Sequence, residues 1–435
     1  MALSTQPYKG ARDFFPEDKR LQKFLFAKLR QTVESFGYEE YDAPILEPLE
    51  LYLAKSGEEI VNEQTYNFTD RGGREVVIRP EMTPTVSRMV ASRRQELGYP
   101  LRWYSIPNLW RYERPQRGRL REHWQLNVDL FGVADSAAEL EMITLVDSLY
   151  KNYGATPDMY NIQLNSRPLI NDVLLEFLAL TETQAHTVGK LIDRLHKMER
   201  SEFISKVDAV LTPEQRSASV VEKLLSVLDC KTTRDLPSTV QTKQSVIDLE
   251  QVIDTLQQTG ISNVRYDATL MRGFDYYTGI VFEVSDTHPE NNRSMMGGGR
   301  YDGLVGLFGV EPVPTVGFGL GDATLANFLE LHGLLPHLSS ETDVYITPVG
   351  EADMGKIQAL ATRLRTAKIN VAVDISGRKL GDLLKTAAKK GITHCLIVGP
   401  NELTTNSFSL KDLNSGDSQD VTEEELITLL QQAQL

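Results

Sequence analysis

Cysteine is almost absent: Cys230 and Cys395 are the only two in 435 residues. They stand far apart and without metal-ligand spacing, so the sequence suggests neither a disulfide framework nor a zinc site. Long hydrophobic runs are lacking too. Nowhere do about 18 uncharged apolar residues follow one another, the length a membrane-crossing helix needs. The opening MALSTQPYKG has no apolar run behind a basic cluster, so the chain is expected to be neither exported nor membrane-spanning, and a cytoplasmic, reducing compartment fits. Positive charge is in deficit, with 46 Lys and Arg against 60 Asp and Glu, a net charge of -14. That balance argues against indiscriminate coating of nucleic acid, yet it permits an RNA partner that docks on local basic patches. Low-complexity segments are missing, and 41% hydrophobic with 24% charged residues is an ordinary globular balance, so disorder is not expected to dominate. A chain of this length holds two or three domains.

One stretch inverts the acidic balance. From Arg102 to Gly132, RWYSIPNLWRYERPQRGRLREHWQLNVDLFG reads as two strands joined by an arginine-laden loop. In the second strand His123, Gln125, Asn127 and Asp129 face one way while Trp124, Leu126, Val128 and Leu130 face the other, giving a polar face and a core face. Arg111 and Glu113 share a face in the incoming strand. Arg111, Arg114, Arg117, Arg119 and Arg121 are opposed only by Glu113. This inversion suggests an anionic partner such as phosphate, which guanidinium groups grip with paired donors. A solvated hairpin tip with an ordinary polar outer face is the alternative.

Pro16 to Phe36 carries a helical stripe of Leu21, Phe24, Leu25, Leu29, Val33 and Phe36, with Gly37 suited to the left-handed terminal position. Tyr41 to Glu47 is strand-like around Pro44, hence an edge strand or a contact between chains, with a simple turn as the alternative. Tyr66–Asp70 and Glu75–Pro80 read as a hairpin around ArgGlyGlyArg. Glu81 or Thr83 then opens a helix, where a carboxylate would cap it or hold a ligand ammonium. A helix from Ala134 to Tyr153 and a strand from Asn161 to Asn165 follow. Residues 168 to about 260 read as an inserted helical module.

Tyr266 to Val284 reads as a strand pair around Gly273 and Gly279, with Arg272, Asp275, Tyr276 and Tyr277 between them. So many polar groups in a buried strand must meet one another or a ligand. Gly297, Gly298 and Gly299 permit close backbone approach, or mark a tight turn. The glycines of VGFGLGDATL (Val316 to Leu325) leave room for something flat on a strand. The last hundred residues alternate strand and helix, an α/β domain with a mainly parallel sheet, and Thr422 with Glu425 forms a capping box for the final helix. Between Asp353 and Lys390 nine Lys or Arg meet three Asp, an excess of six that would follow an RNA backbone or simply lie on solvated helix faces.

With these residues assembled, the chain resembles the histidyl-tRNA synthetases of class II over essentially its full length. Lys9–Pro16 resembles the family's opening, and the first helix with the Pro44 segment resembles its dimer-forming first motif. Leu109–Gln116 resembles the second motif, while Met271–Tyr277 and Gly298–Leu304 resemble segments peculiar to histidine-specific members. The resemblance implies an α+β fold: a class II antiparallel sheet with flanking helices, a helical insertion and a C-terminal α/β anticodon-binding domain. The corresponding segments are 1–165 and 261–335 for the catalytic core, 166–260 for the insertion and 336–435 for the tail. It also implies a homodimer, ATP with Mg²⁺, and the partners L-histidine and tRNA(His).

By the same resemblance Arg111 and Arg272 clamp the α-phosphate, Glu113 lies near the adenine, and Arg119 and Arg121 reach the outer phosphates or the acceptor end. Glu81, Thr83 and Gln125 hold the amino and carboxylate end of histidine. Asp129 and Tyr277 reach the imidazole, Tyr276 lies with them, and Tyr301 closes the pocket. His123 is set aside as structural. The third motif departs from the family: where Gly-Leu-Glu-Arg-Leu is usual, this chain has Gly321, Asp322, Ala323, Thr324 and Leu325. Thr324 cannot supply the arginine's cation. Either another arginine, with Arg300 a candidate, takes its place, or ATP binding is weakened. A non-catalytic histidine-binding relative, like the regulatory partner of ATP phosphoribosyltransferase, is the competing reading; the retained tail, Arg111 and Arg272 tell against it, and the altered third motif tells for it. A synthetase for another amino acid is a third reading, disfavoured by the Arg272–Tyr277 segment.

Overall fold

A computed structural model describes residues 3–53, 64–116, 118–271, 277–291 and 293–432. By its internal contacts the chain forms two units, Met1–Phe15 with Leu21–Leu335, and Pro16–Arg20 with Pro336–Leu435.

The first unit is built on a nine-stranded sheet. Its strands are β1 (Glu39–Glu40), β5 (Leu101–Ser105), β6 (Asn108–Trp110), β7 (Glu122–Phe131), β8 (Tyr160–Ser166), β9 (Val264–Tyr266), β10 (Ile280–Asp286), β11 (Ser294–Arg300) and β12 (Thr315–Gly321). They run in the order β1-β5-β7-β12-β11-β10-β8-β9, with β6 also on β7. Only the outer pairs β1–β5 and β8–β9 are parallel. A mostly antiparallel sheet needs one covered face, and the alternation of β7 supplies it. Leu126, Val128 and Leu130 join one core with Leu25, Leu29 and Val33 of the helix Pro16–Ser35 and with Met142, Ile143, Val146 and Leu149 of the helix Ala137–Asn152. The same core takes in Leu174, Val188, Phe203, Leu224 and Leu249 from the helical stretch. That stretch therefore buries its apolar faces against the sheet's own core.

Several local expectations are corrected. Tyr41–Glu47 is not one strand: β1 ends at Glu40, and β2 (Leu46–Pro48) belongs to a separate three-stranded sheet with β4 (Glu75–Ile78) and β3 (Tyr66–Thr69). Pro44 lies in the irregular chain between them, where its missing N–H costs no ladder bond. The stretch 266–284 is not a strand pair, because β9 and β10 flank β8 on opposite sides. Gly297–Gly299 lie inside β11 rather than at a turn. The helix Thr83–Ser92 is capped by neither Glu81 nor Thr83: its N-cap residue is Met82, with no side-chain capping bond.

The second unit carries the strands β13 (Val344–Pro348), β14 (Val371–Val373), β15 (His394–Val398), β16 (Phe408–Asp412) and β17 (Ser418–Val421), in the order β14-β13-β15-β16-β17. The first three are parallel; β16 and β17 add antiparallel, so the sheet is mixed rather than mainly parallel. The Thr422–Glu425 capping box is present, with Thr422 N donating to Glu425 at 2.8 Å and Glu425 N to Thr422 Oγ1 at 3.3 Å. Of the basic residues between Asp353 and Lys390, Arg363 is held by Glu423 at 2.7 Å.

Candidate active site

The polar row of β7 lies against a glycine floor. In the ladder Asp129 pairs with Gly317 and Asn127 with Gly319, while Gly299 and Gly297 of β11 continue the rows on the far side of β12. A side chain on Gly317 would collide with the Asp129 carboxylate and, at 2.8 Å, with the Tyr301 hydroxyl; one on Gly319 would collide with the Gln125 amide. The glycines thus do not leave empty room for a flat ligand, as the sequence suggested. They let Gln125, Asp129 and Tyr301 lean across the sheet.

Asp129 and Tyr301 are almost wholly buried, at 3% and 2% exposure, and the Tyr301 hydroxyl donates to Asp129 Oδ1. Burial pushes the Asp129 carboxyl up to about 7, against the opposing pull of that hydrogen bond. Tyr277 stands edge-on to Tyr301 with ring centroids 6.3 Å apart. Asp129, Tyr277, Tyr301 and Gln125 are therefore brought to one face. Tyr41 joins them unforeseen: burial, and next the charge of Asp129, hold its phenol well above its ordinary range. Its place just past the two-residue β1 gave no sequence signal.

Arg111 Nε donates to the Pro80 carbonyl at 2.9 Å, which sets its guanidinium beside the segment carrying Glu81 and Thr83. Thr85, one turn on, shares a hydrogen bond of 3.0 Å with the Tyr52 hydroxyl, which also donates to the Glu81 carbonyl at 3.2 Å. These bonds fix the entry of the helix where capping does not.

Within the loop, Glu113 is buried and held by a two-pronged ion pair with Arg119, whose Nη2 lies 2.6 Å from Oε1. Arg121 donates to the Glu113 carbonyl at 2.9 Å and to the Tyr8 hydroxyl at 3.1 Å, and stacks 4.0 Å from the Tyr112 ring centre. The opening segment underlies this loop. Gly10, at φ +87°, accepts from Arg121 N and Glu122 N, and a side chain there would meet Arg121 at 2.8 Å and Pro115 at 2.9 Å.

His123, set aside from sequence, stands in this cationic ground. Burial, then the charges of Arg111, Arg12 and Arg119, push its imidazole down to about 3, and its Nδ1 is buried without a partner. Arg300 is not the missing third-motif cation. It is buried in a two-pronged pair with Glu139 at 2.6 Å and donates to the Val133 and Asp135 carbonyls, both at 2.9 Å. With its donors so consumed, it braces β11 against the helix Ala137–Asn152 and cannot reach a nucleotide. Arg272 and Tyr276 lie outside the described residues.

The family model described as histidyl-tRNA synthetase matches residues 10–325. The chain belongs to the histidyl-tRNA synthetase family. A second model, the anticodon-binding domain, matches residues 343–433. The chain is 44% identical to the histidine–tRNA ligase of Leptospira biflexa over 95% of its own length and 94% of that relative. It is 37% identical to the one of Thermoplasma volcanium over 99% of both. Among solved structures, the histidyl-tRNA synthetase of Nostoc sp. PCC 7120 shares the fold with a TM-score of 0.83 at 24% identity, covering 99% of this chain and all of that one. Membership of this synthetase family rests on the first two comparisons; the third shows the fold alone.

Proposed function

We propose that the chain activates L-histidine with ATP to histidyl-adenylate and transfers the histidyl group to the 3′ end of tRNA(His). The observation that carries this reading is the pairing of a buried, proton-poised Asp129–Tyr301 unit with the arginine-lined segment at the other end of the same strand. In the first step a histidine carboxylate oxygen attacks the α-phosphorus in line, the bond to the bridging oxygen breaks, and pyrophosphate leaves with the electron pair. In the second, a hydroxyl of the terminal adenosine attacks the acyl carbon and AMP leaves. Both steps depend mainly on positioning and charge stabilisation.

Arg111 takes the α-phosphate with its paired terminal nitrogens, Nε being held by Pro80. Arg272 is assigned the opposite side of that phosphate by resemblance. Glu113 faces the adenine, and Arg119, which also pairs with Glu113, serves with Arg121 the outer phosphates or the acceptor end. Glu81, Thr83 and Gln125 hold the amino and carboxylate groups of histidine. Asp129, Tyr276, Tyr277 and Tyr301 serve the imidazole, since a carboxylate and a phenol satisfy both ring nitrogens and an analogue without them leaves buried polar groups unpaired.

Among the described residues no group of three or more His, Cys, Asp or Glu is placed to hold a metal ion. Mg²⁺ is proposed to be held mainly by the phosphate oxygens, as this cation commonly is. Segment 166–260 is proposed to lie along the acceptor arm, and 336–435 to read the anticodon with the basic helices Met354–Thr366 and Leu380–Lys389. A homodimer is proposed through the first-motif region, where Ile45, Leu46 and Phe68 are exposed. A cytoplasmic place of work is part of this proposal; separately, no helix among the described residues is long and apolar enough to cross a membrane.

The test is histidine-dependent ATP–pyrophosphate exchange by wild type and Arg111→Ala. The expected loss is about 10²–10³-fold in kcat, the scale of one preorganised donor to a developing charge, with histidine binding retained in calorimetry. Unchanged exchange would refute the assignment of Arg111.

A further inference from the structure

The arginine loop and β7 are joined to the start of the third motif by a residue to which nothing above gives a role. Arg12 lies in the extended opening segment, and its Nη2 is 2.7 Å from Asp322 Oδ2. The other oxygen of that buried carboxylate accepts from the Trp124 backbone N–H at 3.0 Å. One carboxylate thus ties three chain segments together and fixes where the guanidinium stands. The guanidinium carbon also lies 4.9 Å from the Phe14 ring centre and 5.9 Å from that of Trp124, so flanking rings limit its rotation.

Two observations say that the group is more than a structural tie. Its Nε is a buried donor with no partner in the structure, a state that costs free energy unless a ligand completes it. Its charge also acts on His123 together with those of Arg111 and Arg119, so the field of three guanidinium groups, two of them paired with Asp322 and Glu113, reaches one neutral ring on the polar face of β7. The positive charge that remains after those pairs favours an anion beside them. Thr324, in the first turn of the helix Asp322–Leu331, spends its hydroxyl on the Met295 and Gly321 carbonyls at 3.1 and 2.8 Å. A side chain on Gly118, in the turn of the arginine loop, would come within 3.7 Å of its methyl group. Position 324 therefore adjoins the loop while offering it no charge.

We propose that Arg12, anchored by Asp322, supplies the ATP triphosphate with the cation that position 324 lacks. The inference rests on the ATP-dependent reading above and adds to it a residue and the pair that holds it. Asp322 is the positioning residue. Arg12 is the binding group.

The test measures histidine-dependent exchange and, separately, calorimetric ATP binding. Wild type that binds ATP without exchanging would count against the reading of function, while the binding data would still test Arg12. Arg12→Ala is expected to raise the KM and Kd for ATP about 10- to 100-fold, the scale of losing a charge-assisted hydrogen bond, with the KM for histidine within about twofold. Adding Thr324→Arg to Arg12→Ala should recover most of that loss. Adding Asp322→Asn to Arg12→Ala removes the buried carboxylate left unpaired, so ATP binding that returned to the wild-type value would show that only a structural pair had been broken, and would overturn the proposal. ATP affinity unchanged in Arg12→Ala, or no recovery with Thr324→Arg, would overturn it equally. Should Arg12→Ala not fold, Arg12→Lys keeps a charge for Asp322 and loses the guanidinium Nε; weaker ATP binding supports the proposal and unchanged binding overturns it.

Discussion

Replacing Tyr301 with Phe removes one oxygen from the proposed imidazole site and leaves the ring in place. That hydroxyl donates to Asp129 Oδ1 and so favours the ionised carboxylate, whose proton affinity burial has already raised to about 7. A hydrogen bond to a charged group contributes roughly 1.5–3 kcal/mol. At about 1.4 kcal/mol for each unit of pKa, its loss moves the titration up to roughly 8–9. At pH 7.5 about three quarters of the Asp129 carboxyls are ionised in wild type and about a tenth in the variant, by the same relation. If the ionised form receives an imidazole N–H, the KM for histidine rises roughly eightfold at pH 7.5, and the acid limb of kcat/KM moves up by at least about one unit. The assay is pyrophosphate exchange between pH 6 and 9 at saturating ATP. A variant whose acid limb stays where wild type has it would refute the claim that Asp129 governs this titration.

Other outcomes follow from neighbouring observations. With a folded value near 7 above an unfolded value near 3.9, Asp129 contributes stability below about pH 4 that is lost as pH rises towards 7; Asp129→Asn should melt higher than wild type at pH 8 while losing histidine-dependent exchange, and an unchanged Tm contradicts this. Glu139→Gln takes from the buried Arg300 its two-pronged counter-charge and leaves only the 3.4 Å contact with Asp302, an expected cost of about 3 kcal/mol in denaturant unfolding, whereas replacing both residues by apolar ones should cost far less. Gly319→Ala meets only the movable Gln125 amide, so the variant should fold and lose histidine affinity. Gly298→Ala meets the Gly317 carbonyl and should lose the fold, as circular dichroism would report. His123, held down to about 3, should show no imidazole titration in NMR spectra between pH 5 and 8.

The sequence made the backbone of this account readable wherever periodicity was strong. The stripe Leu21 to Phe36 and the alternation from His123 to Leu130 each name a buried face, and both faces meet in one core. Glycines were legible as sites of close approach but not in their object, because periodicity cannot say that Gln125 and Asp129 would fill the space themselves. Arg300 misled for a related reason: a guanidinium in a motif looks free until Glu139, 161 positions away, is seen to pair with it. The same distance hid Arg12 and Asp322, separated by 310 positions. The break at Pro44 and the flanking of β8 by β9 and β10 turned on which strands pair, which local propensity leaves undetermined.

The polar face of β7 is proposed to join histidine recognition at Asp129 and Tyr301 to an arginine-lined phosphate site for a single activation step. Its most direct measurement is ATP–pyrophosphate exchange with each of the twenty amino acids supplied in turn. The account predicts exchange with histidine alone; exchange with another amino acid, or histidine binding in calorimetry with no exchange at all, would contradict it.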